Sequence, residues 1–309
     1  MTKANFFLER YAAWGFAQNP LAEDSQINPQ IKAKTAKTAT PTQITIRVNT
    51  LKTTAKQLIS QISKKMKIEK ISYLPDGYEV TAAFNLVSTP QYLQGYFYIQ
   101  EAASQIPAII LDPKPSEIIA DLCCAPGSKT TQIAQMMKNT GTLFSVDSNS
   151  VRLQKVQHNL ERCGVTNCLL VRKDVMYLSD LNTQFDKILL DAPCSGNFVI
   201  DADWFDKRSI SGVQENARLQ KQLIVAAFDC LKSGGTLVYS TCSLEKEENE
   251  EVVEHLLAQR ADSALEPITF PIGSPGLTEK AKGTLRLWPS LTGTQGFFVA
   301  KIVKSPKAL

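Results

Sequence analysis

Residues 117–147 read EIIADLCCAPGSKTTQIAQMMKNTGTLFSVD. An apolar run ends in an acid, Asp121, and a Pro-Gly turn follows. Ser128-Lys129-Thr130 then opens a helical stretch, and a second apolar run ends in Asp147. Strand, turn, helix and strand in that order form the repeating unit of a parallel sheet. The alternation continues downstream. Strands are predicted at 117–122, 142–147, 168–172, 186–191 and 235–240, with helices at 129–138, 149–162 and 213–231 between them. Such alternation predicts right-handed βαβ units and a doubly wound α/β sheet.

Outward from this core, a helix is expected at 246–260 and a last strand at GFFVAKIV, 296–303. Upstream the pattern differs. Residues 4–17 have the spacing of a short amphipathic helix, with Phe7, Tyr11 and Trp14 on one face. IKAKTAKTATPTQ, 31–43, reads as an exposed loop. A strand at 44–50, a helix over 53–66 and strands at 68–74 and 78–81 around Pro75-Asp76-Gly77 make a small α+β unit. The expected organisation is therefore an N-terminal domain over 1–110 and a catalytic domain over 111–309.

The bulk numbers fit a globular protein of 309 residues with 43% apolar content. No apolar run approaches the ~18 residues of a membrane span, and Glu9 and Arg10 break the only N-terminal apolar stretch. A soluble, cytoplasmic, monomeric protein without a membrane partner is expected. The first 110 residues hold 12 Lys/Arg against 7 Asp/Glu, and the remainder 22 against 23, so the positive excess sits at the N-terminal end. That polarity points to a polyanion partner through the first domain. Seven cysteines without a C-x-x-C pair, and only two histidines, argue for reduced thiols and against a metal site.

In a doubly wound sheet, ligands sit beyond the carboxyl ends of the strands. DLCCAPGSKT lacks the glycines of a phosphate loop, and no G-x-G-x-x-G is present, so the expected cofactor carries no phosphate. Asp147, Asp174 and Asp191 end successive strands. Asp147 lies 26 residues after Asp121, where a ribose-binding carboxylate belongs. Acids at one rim and no phosphate cradle suit S-adenosylmethionine, with its ribose hydroxyls, adenine amine and sulfonium charge.

After the fourth strand stands Asp191-Ala192-Pro193-Cys194, where methyltransferases of exocyclic amines carry [DN]-P-P-[YFW]. A sulfur in place of the stacking ring points to methylation at carbon. Carbon 5 of a pyrimidine becomes nucleophilic when a thiolate adds at carbon 6. Asp191 is placed to hold the base edge during that addition, and the base must leave its stack to arrive. Cys194 and Cys242, each just beyond a strand, are both candidates for the attack.

DLCCAPGSKTTQ, VDSNSVRL, KILLDAPCSGN, GGTLVYSTCSLEKEENEEVV and TQGFFVAKI, with RVNTLK (47–52) and GYFYIQEAAS (95–104) upstream, resemble in order the Nol/Nop/Sun family of RNA cytosine-C5 methyltransferases. The resemblance covers about residues 44–303. It implies a class I S-adenosylmethionine-dependent methyltransferase sheet of the Rossmann-like kind, preceded by a ferredoxin- or RRM-like RNA-facing domain. By the same resemblance Cys242 is the nucleophile and Cys194 assists release of the methylated RNA. Cys123, Cys124, Ala125, Pro126, Gly127, Ser128, Lys129, Asp147, Arg152, Asp174 and Asp191 are the implied cofactor-site residues. Likeness to the short archaeal members makes tRNA the expected substrate, with rRNA as the alternative. Readings of another class are a non-catalytic RNA-binding or assembly factor and a DNA cytosine-C5 methyltransferase, which T-C-S and the basic N-terminal domain disfavour.

The chain departs from the family pattern at Cys124, at Asn197-Phe198 and at Ser290, where many members have alanine, small residues and histidine. In the N-terminal domain Arg47, Lys52, Lys64, Lys65 and Lys67 are candidate phosphate contacts, and Tyr92, Tyr96, Phe97 and Tyr98 are expected to pack the domain junction. EKEENEEVVEHLL, 245–257, reads as an exposed acidic helix start favoured by the helix dipole.

Overall fold

The structure, a computed structural model, describes residues 3–15, 42–63 and 65–306. Most of the expected loop at 31–43, and Lys64, lie outside the described residues. Helix α1, Lys3–Ala13, comes first. An antiparallel sheet of order β2-β3-β1-β4 follows, from β1 (Thr42–Val48), β2 (Lys67–Lys70), β3 (Gly77–Ala82) and β4 (Phe97–Ile99). Helix α2, Ala55–Ile62, starts at a capping box between Thr54 and Gln57 and turns Leu58 and Ile62 onto Ile46, Val48, Val80 and Phe97. The expected strand at 68–74 ends at Lys70. Its amine bends back to the carbonyls of Leu74 and Pro75 and closes the turn.

After α3 (Ala102–Leu111) come β5 (Ile118–Leu122), α4 (Ser128–Met136), β6 (Thr142–Asp147), α5 (Ser150–Cys163), β7 (Cys168–Arg172) and β8 (Phe185–Asp191). They are followed by α6 (Ile210–Asp229), β9 (Leu231–Thr241), α7 (Glu250–Gln259), β10 (Ser263–Glu266), β11 (Ser274–Pro275), β12 (Leu285–Leu287) and β13 (Phe297–Lys304). Their nine-stranded sheet has the order β11-β12-β13-β9-β8-β5-β6-β7, with β10 on β13. Strands β7, β6, β5, β8 and β9 are parallel, and β13 runs antiparallel to β9.

The apolar runs of these strands bury both faces, as a parallel sheet requires. Ala120, Leu122, Ile188, Leu190, Leu237 and Tyr239 pack beneath α6 and α7, while Ile119, Leu189 and Val238 meet α3 and α4. The period of two sends Asp191 and its register partner Ser240 to the same face as Leu189 and Val238. Chain order reverses at β5, so the crevice between β5 and β8 is the switch point. Helix α6 begins earlier than expected because Ser209 caps it, and β9 is longer, starting at Leu231. Among the described residues no helix is long and apolar enough to cross a membrane.

The N-terminal sheet is locked to this core. Arg47 is 2% exposed and donates to Gln100, Thr131 and Gln135, so it is a structural tie and not a phosphate contact. Burial pulls its pKa down to about 10. The Arg162 guanidinium lies 4.1 Å from the Tyr92 ring and 5.4 Å from that of Tyr98. Gly95 has φ +74°, and a Cβ there would stand 1.8 Å from the Arg162 carbonyl oxygen, so only glycine lets the two parts close. Lys65 is exposed, Lys67 pairs with Glu69, and Lys52 donates to the carbonyls of Gln94 and Arg162.

Candidate active site

The turn after β5 carries the first half of the site. Cys123 takes φ +58°, the Ala125-Pro126 peptide is cis, and Gly127 takes φ +98° where α4 begins. A Cβ on Gly127 would press on the Val156 side chain at 3.2 Å. The Ala125 N–H donates to Asp147 at 3.4 Å, and the Asn149 N–H donates to the other oxygen at 2.9 Å. Arg152, half outside, reaches Asp147 at 3.5 Å and donates to the Ala125 carbonyl at 3.1 Å. Asp147 thus stands at the tip of β6, buried and pinned beside the turn.

Asp121 is fully buried and accepts from the Thr130 hydroxyl at 2.5 Å. Its other oxygen has no partner among the described residues. Burial pushes its pKa up to about 7. A cavity of about 200 Å³ opens here, lined among others by Asp121, Cys123 to Pro126, Ser128, Lys129, Asp191 and Cys242. An unpaired buried carboxylate oxygen, a second acid at Asp147 and a lysine already committed to Asp191 suit a cationic, hydroxyl-bearing cofactor better than a phosphate. These residues fit S-adenosylmethionine.

The far wall of the cavity is the second half. Lys129, only 7% exposed in its side chain, donates to Asp191 at 2.7 Å and to the Ser104 hydroxyl at 3.1 Å. The Phe297 ring lies 5.1 Å from its amine. Ser240 donates to the remaining Asp191 oxygen at 2.8 Å. Asp191 is therefore held from two sides and still 29% open in its side chain. Beyond it the sulfurs of Cys194 and Cys242 lie 3.3 Å apart. The hydrogen bond with Cys242 and then burial push the Cys194 thiol well above its ordinary pKa.

Both cysteine loops are fastened from behind. Asn197 donates to the carbonyls of Cys242 and Gln295 at 2.7 and 3.0 Å and caps Val199 through its oxygen. Phe198 stacks on Phe205 and meets Tyr11 of α1. The Asn197-Phe198 departure thus bridges the cysteine loops and seats α1. Phe7 lies edge-on to Trp204 at 4.7 Å.

The acidic stretch overturns its expected exposure. Residues 246–249 form a turn before α7, and Glu245, Glu248 and Glu250 are 0% exposed. Glu245 accepts from Tyr11 at 2.6 Å and pairs with Arg10, which also pairs with Glu247. Glu248 accepts from Ser195, and Glu250 pairs with Arg286 at 2.6 Å through two nitrogens. Negative charge so close to α7 looked like dipole pairing in sequence, but each glutamate has its own inward partner.

The fold therefore brings Cys123 to Lys129, Asp147, Arg152, Asp191, Cys194 and Cys242 to one rim. Asp174 lies just past the end of β7, beside β6, where the preceding Lys173 N–H donates to the Asp147 carbonyl at 3.2 Å; it is exposed and caps the turn that follows, accepting from the Met176 N–H at 3.0 Å. Cys124 packs on Val156, as a substituted alanine can, and Ser290 is exposed on the helical turn Pro289–Thr292. Ser104, Asn197, Ser240 and Glu248 were not read as site residues. Only Ser240 had a signal, as the same-face neighbour of Asp191 had the two strands been paired in register.

Two family models match the chain: 16S rRNA methyltransferase RsmB/F over residues 108–303, and the N-terminal domain of 16S rRNA methyltransferase RsmF over residues 23–102. The tRNA (cytosine(49)-C(5))-methyltransferase of Pyrococcus abyssi is 39% identical over 85% of this chain and 89% of its own length. The ribosomal RNA small subunit methyltransferase F of Shewanella sediminis is 40% identical over 86% of this chain, which spans only 58% of that relative. The structure of NSun6 from Pyrococcus horikoshii with SFG, an analogue of S-adenosylmethionine, superposes with a TM-score of 0.78 at 29% identity, covering 85% of this chain and 90% of that one.

Proposed function

The chain belongs to the RsmB/F (Nol/Nop/Sun) methyltransferase family, and on that premise we propose that it methylates carbon 5 of a cytosine in RNA, with tRNA as the substrate. The family uses S-adenosylmethionine, which when bound supplies an electrophilic methyl group. The turn from Cys123 to Lys129, with Asp121, Asp147 and Arg152, would hold it. The observation that carries the reading is the pair of sulfurs 3.3 Å apart at the end of that cavity, beside an aspartate held by a lysine.

The roles follow from the chemistry. Cys242 adds as a thiolate to carbon 6, which makes carbon 5 nucleophilic. Asp191, oriented by Lys129 and Ser240, holds the N3 and N4 edge of the base. Once carbon 5 is methylated, its proton passes to solvent, the electron pair of that C–H bond re-forms the C5–C6 double bond, and Cys242 leaves carbon 6 as a thiolate; Cys194 serves that release in acid–base work. Asp174, exposed at the strand end beside Asp147, is proposed as a further contact with the cofactor in addition to its capping role.

Residues up to about 110 are proposed as the RNA-facing domain and those after as the catalytic domain. The match across 89% of an archaeal tRNA enzyme supports tRNA. The RsmF N-terminal match over 23–102 supports rRNA as the second reading. Labelled methyl transfer to unmodified tRNA, to rRNA and to DNA tests this. Transfer to tRNA is expected; transfer to rRNA alone moves the substrate, and none to any nucleic acid despite cofactor binding favours a non-catalytic RNA-binding factor.

A further inference from the structure

We propose that Glu248 is the positioning residue of the two-cysteine site: its carboxylate ties Ser195, which follows Cys194, and Ser243, which follows Cys242, to one buried point and so sets the spacing of the two sulfurs. The Ser195 N–H donates to both carboxylate oxygens at 3.0 and 3.3 Å, and the Ser195 hydroxyl donates at 2.7 Å. That hydroxyl lies 3.3 Å from the hydroxyl of Ser243, which bonds Glu248 in its turn, as does Asn216. The backbone behind is fixed as well. Tyr239 donates to the Glu248 carbonyl at 2.6 Å, and Asn249 accepts from Thr241 and donates to the Ser243 carbonyl.

These partners of the carboxylate are neutral donors; Glu248 is 0% exposed, and burial raises its pKa while Ser243, Ser195 and Asn216 pull it back down towards the charged form. Burying a charge on neutral donors alone is expensive, and an uncharged side chain of the same shape would fill the space at lower cost. The charge has a use at the thiol pair. After the Cys242 hydrogen bond, burial and the Cys242 charge, the negative charge of Glu248 adds to what pushes the Cys194 thiol up. The Gly196 backbone and Tyr239 also neighbour that sulfur. Two thiols 3.3 Å apart do not both ionise readily. A carboxylate beside the pair favours the protonated form of Cys194, the sulfur that does not make the attack.

This role rests on the methyltransferase reading, but its direct test needs no RNA. In a Cys242→Ala protein, alkylation of Cys194 by iodoacetamide is followed by peptide mass spectrometry over about pH 6–10. Glu248→Gln is expected to move that profile to lower pH and raise the rate near pH 8 by about 3–10-fold, while Glu248→Asp, which keeps the charge, stays near the parent. With both cysteines present, Glu248→Gln is expected to lower kcat by about 10-fold or more, with KM for RNA and cofactor within about two-fold. A profile indifferent to Gln, or kcat within about two-fold of the parent, overturns the proposal. Should Glu248→Gln fail to fold, Ser195→Ala and Ser243→Ala each cut one tie. Losses of about 3–10-fold in kcat are then expected, and none in either overturns it. Absence of methyl transfer by the unaltered protein strikes the functional reading alone, since the alkylation profiles still report on Glu248.

Discussion

Two neighbouring regions hold acidic side chains in opposite ways. In the cavity at the strand ends Asp191 meets Lys129 at 2.7 Å and keeps 29% of its side chain open, and Asp121 leaves one oxygen without a partner among the described residues. In the plug behind it, Glu250 and Arg286 are 0% and 2% exposed and bonded through two nitrogens, Glu248 takes neutral donors, and Glu245 takes Tyr11 and Arg10. The open region keeps bonding capacity for molecules that come and go. The closed one spends its carboxylate oxygens on holding two loops and a helix still. Substitutions in the first should therefore change rate before stability; in the second, those at Glu245, Glu250 and Arg286 should change stability before rate, while Glu248, which ties the two cysteine loops, links the regions and should change rate as well.

The largest effect expected is in the cavity. Cys242→Ala removes the attacking sulfur, and methyl transfer should fall by roughly 10⁴-fold or more, about 5.5 kcal/mol in barrier, with no covalent protein–RNA adduct on a denaturing gel. Its melting temperature should match the parent. A variant that loses stability instead would erase the contrast. Next comes the plug. Arg286→Ala leaves Glu250 buried and unpaired, and a loss of about 3–5 kcal/mol in urea unfolding is expected. Full stability with impaired turnover would mean that the plug is part of the chemistry and not its support.

The two regions also differed in how far the sequence exposed them. The parallel sheet was legible because each strand is a short apolar run ending in Asp121, Asp147 or Asp191, and the fold rule puts such ends at one rim. The cysteine pair was legible for the same reason. The acidic turn was misread because a glutamate carries the same letter whether buried or solvated. What buries Glu245, Glu248 and Glu250 are Tyr11, Ser195 and Arg286, between 36 and 234 residues away. Arg47 failed likewise: basic charge in a basic domain looked like a phosphate contact, yet Gln100, Thr131 and Gln135 enclose it.

Cys194→Ala returns to the cavity with a smaller effect. Attack through Cys242 survives but release does not, so turnover should fall about 100-fold, about 2.7 kcal/mol, while a covalent complex with RNA accumulates. Fast turnover without a trapped complex would assign release to another group and leave Cys194 as packing beneath Cys242.

The smallest effect is a pH dependence. Burial, the largest influence on Glu245, raises its pKa from an ordinary 4.5 to about 7, against the opposing pull of Tyr11 and Arg10. The folded protein thus holds this proton more tightly than the unfolded chain. Below about pH 4.5 both states are protonated and the contribution to stability is complete. As the pH rises towards 7 the unfolded chain releases the proton first, so stability falls, and above 7 the loss is constant. Asp121, raised to about 7 by its burial, adds a loss of the same sign. The displacement at Glu245, which already contains the pull of Tyr11 and Arg10, sets an upper bound of about 3 kcal/mol on its share, which reads as a shift of several degrees or less in melting temperature. The parent should therefore melt lower at about pH 8 than at pH 5, and Glu245→Gln should flatten part of that slope, leaving the Asp121 share. A steeper fall in the Gln variant would reverse the sign. It would show that Tyr11 and Arg10 outweigh burial, and that the carboxylate which seats α1 is held charged.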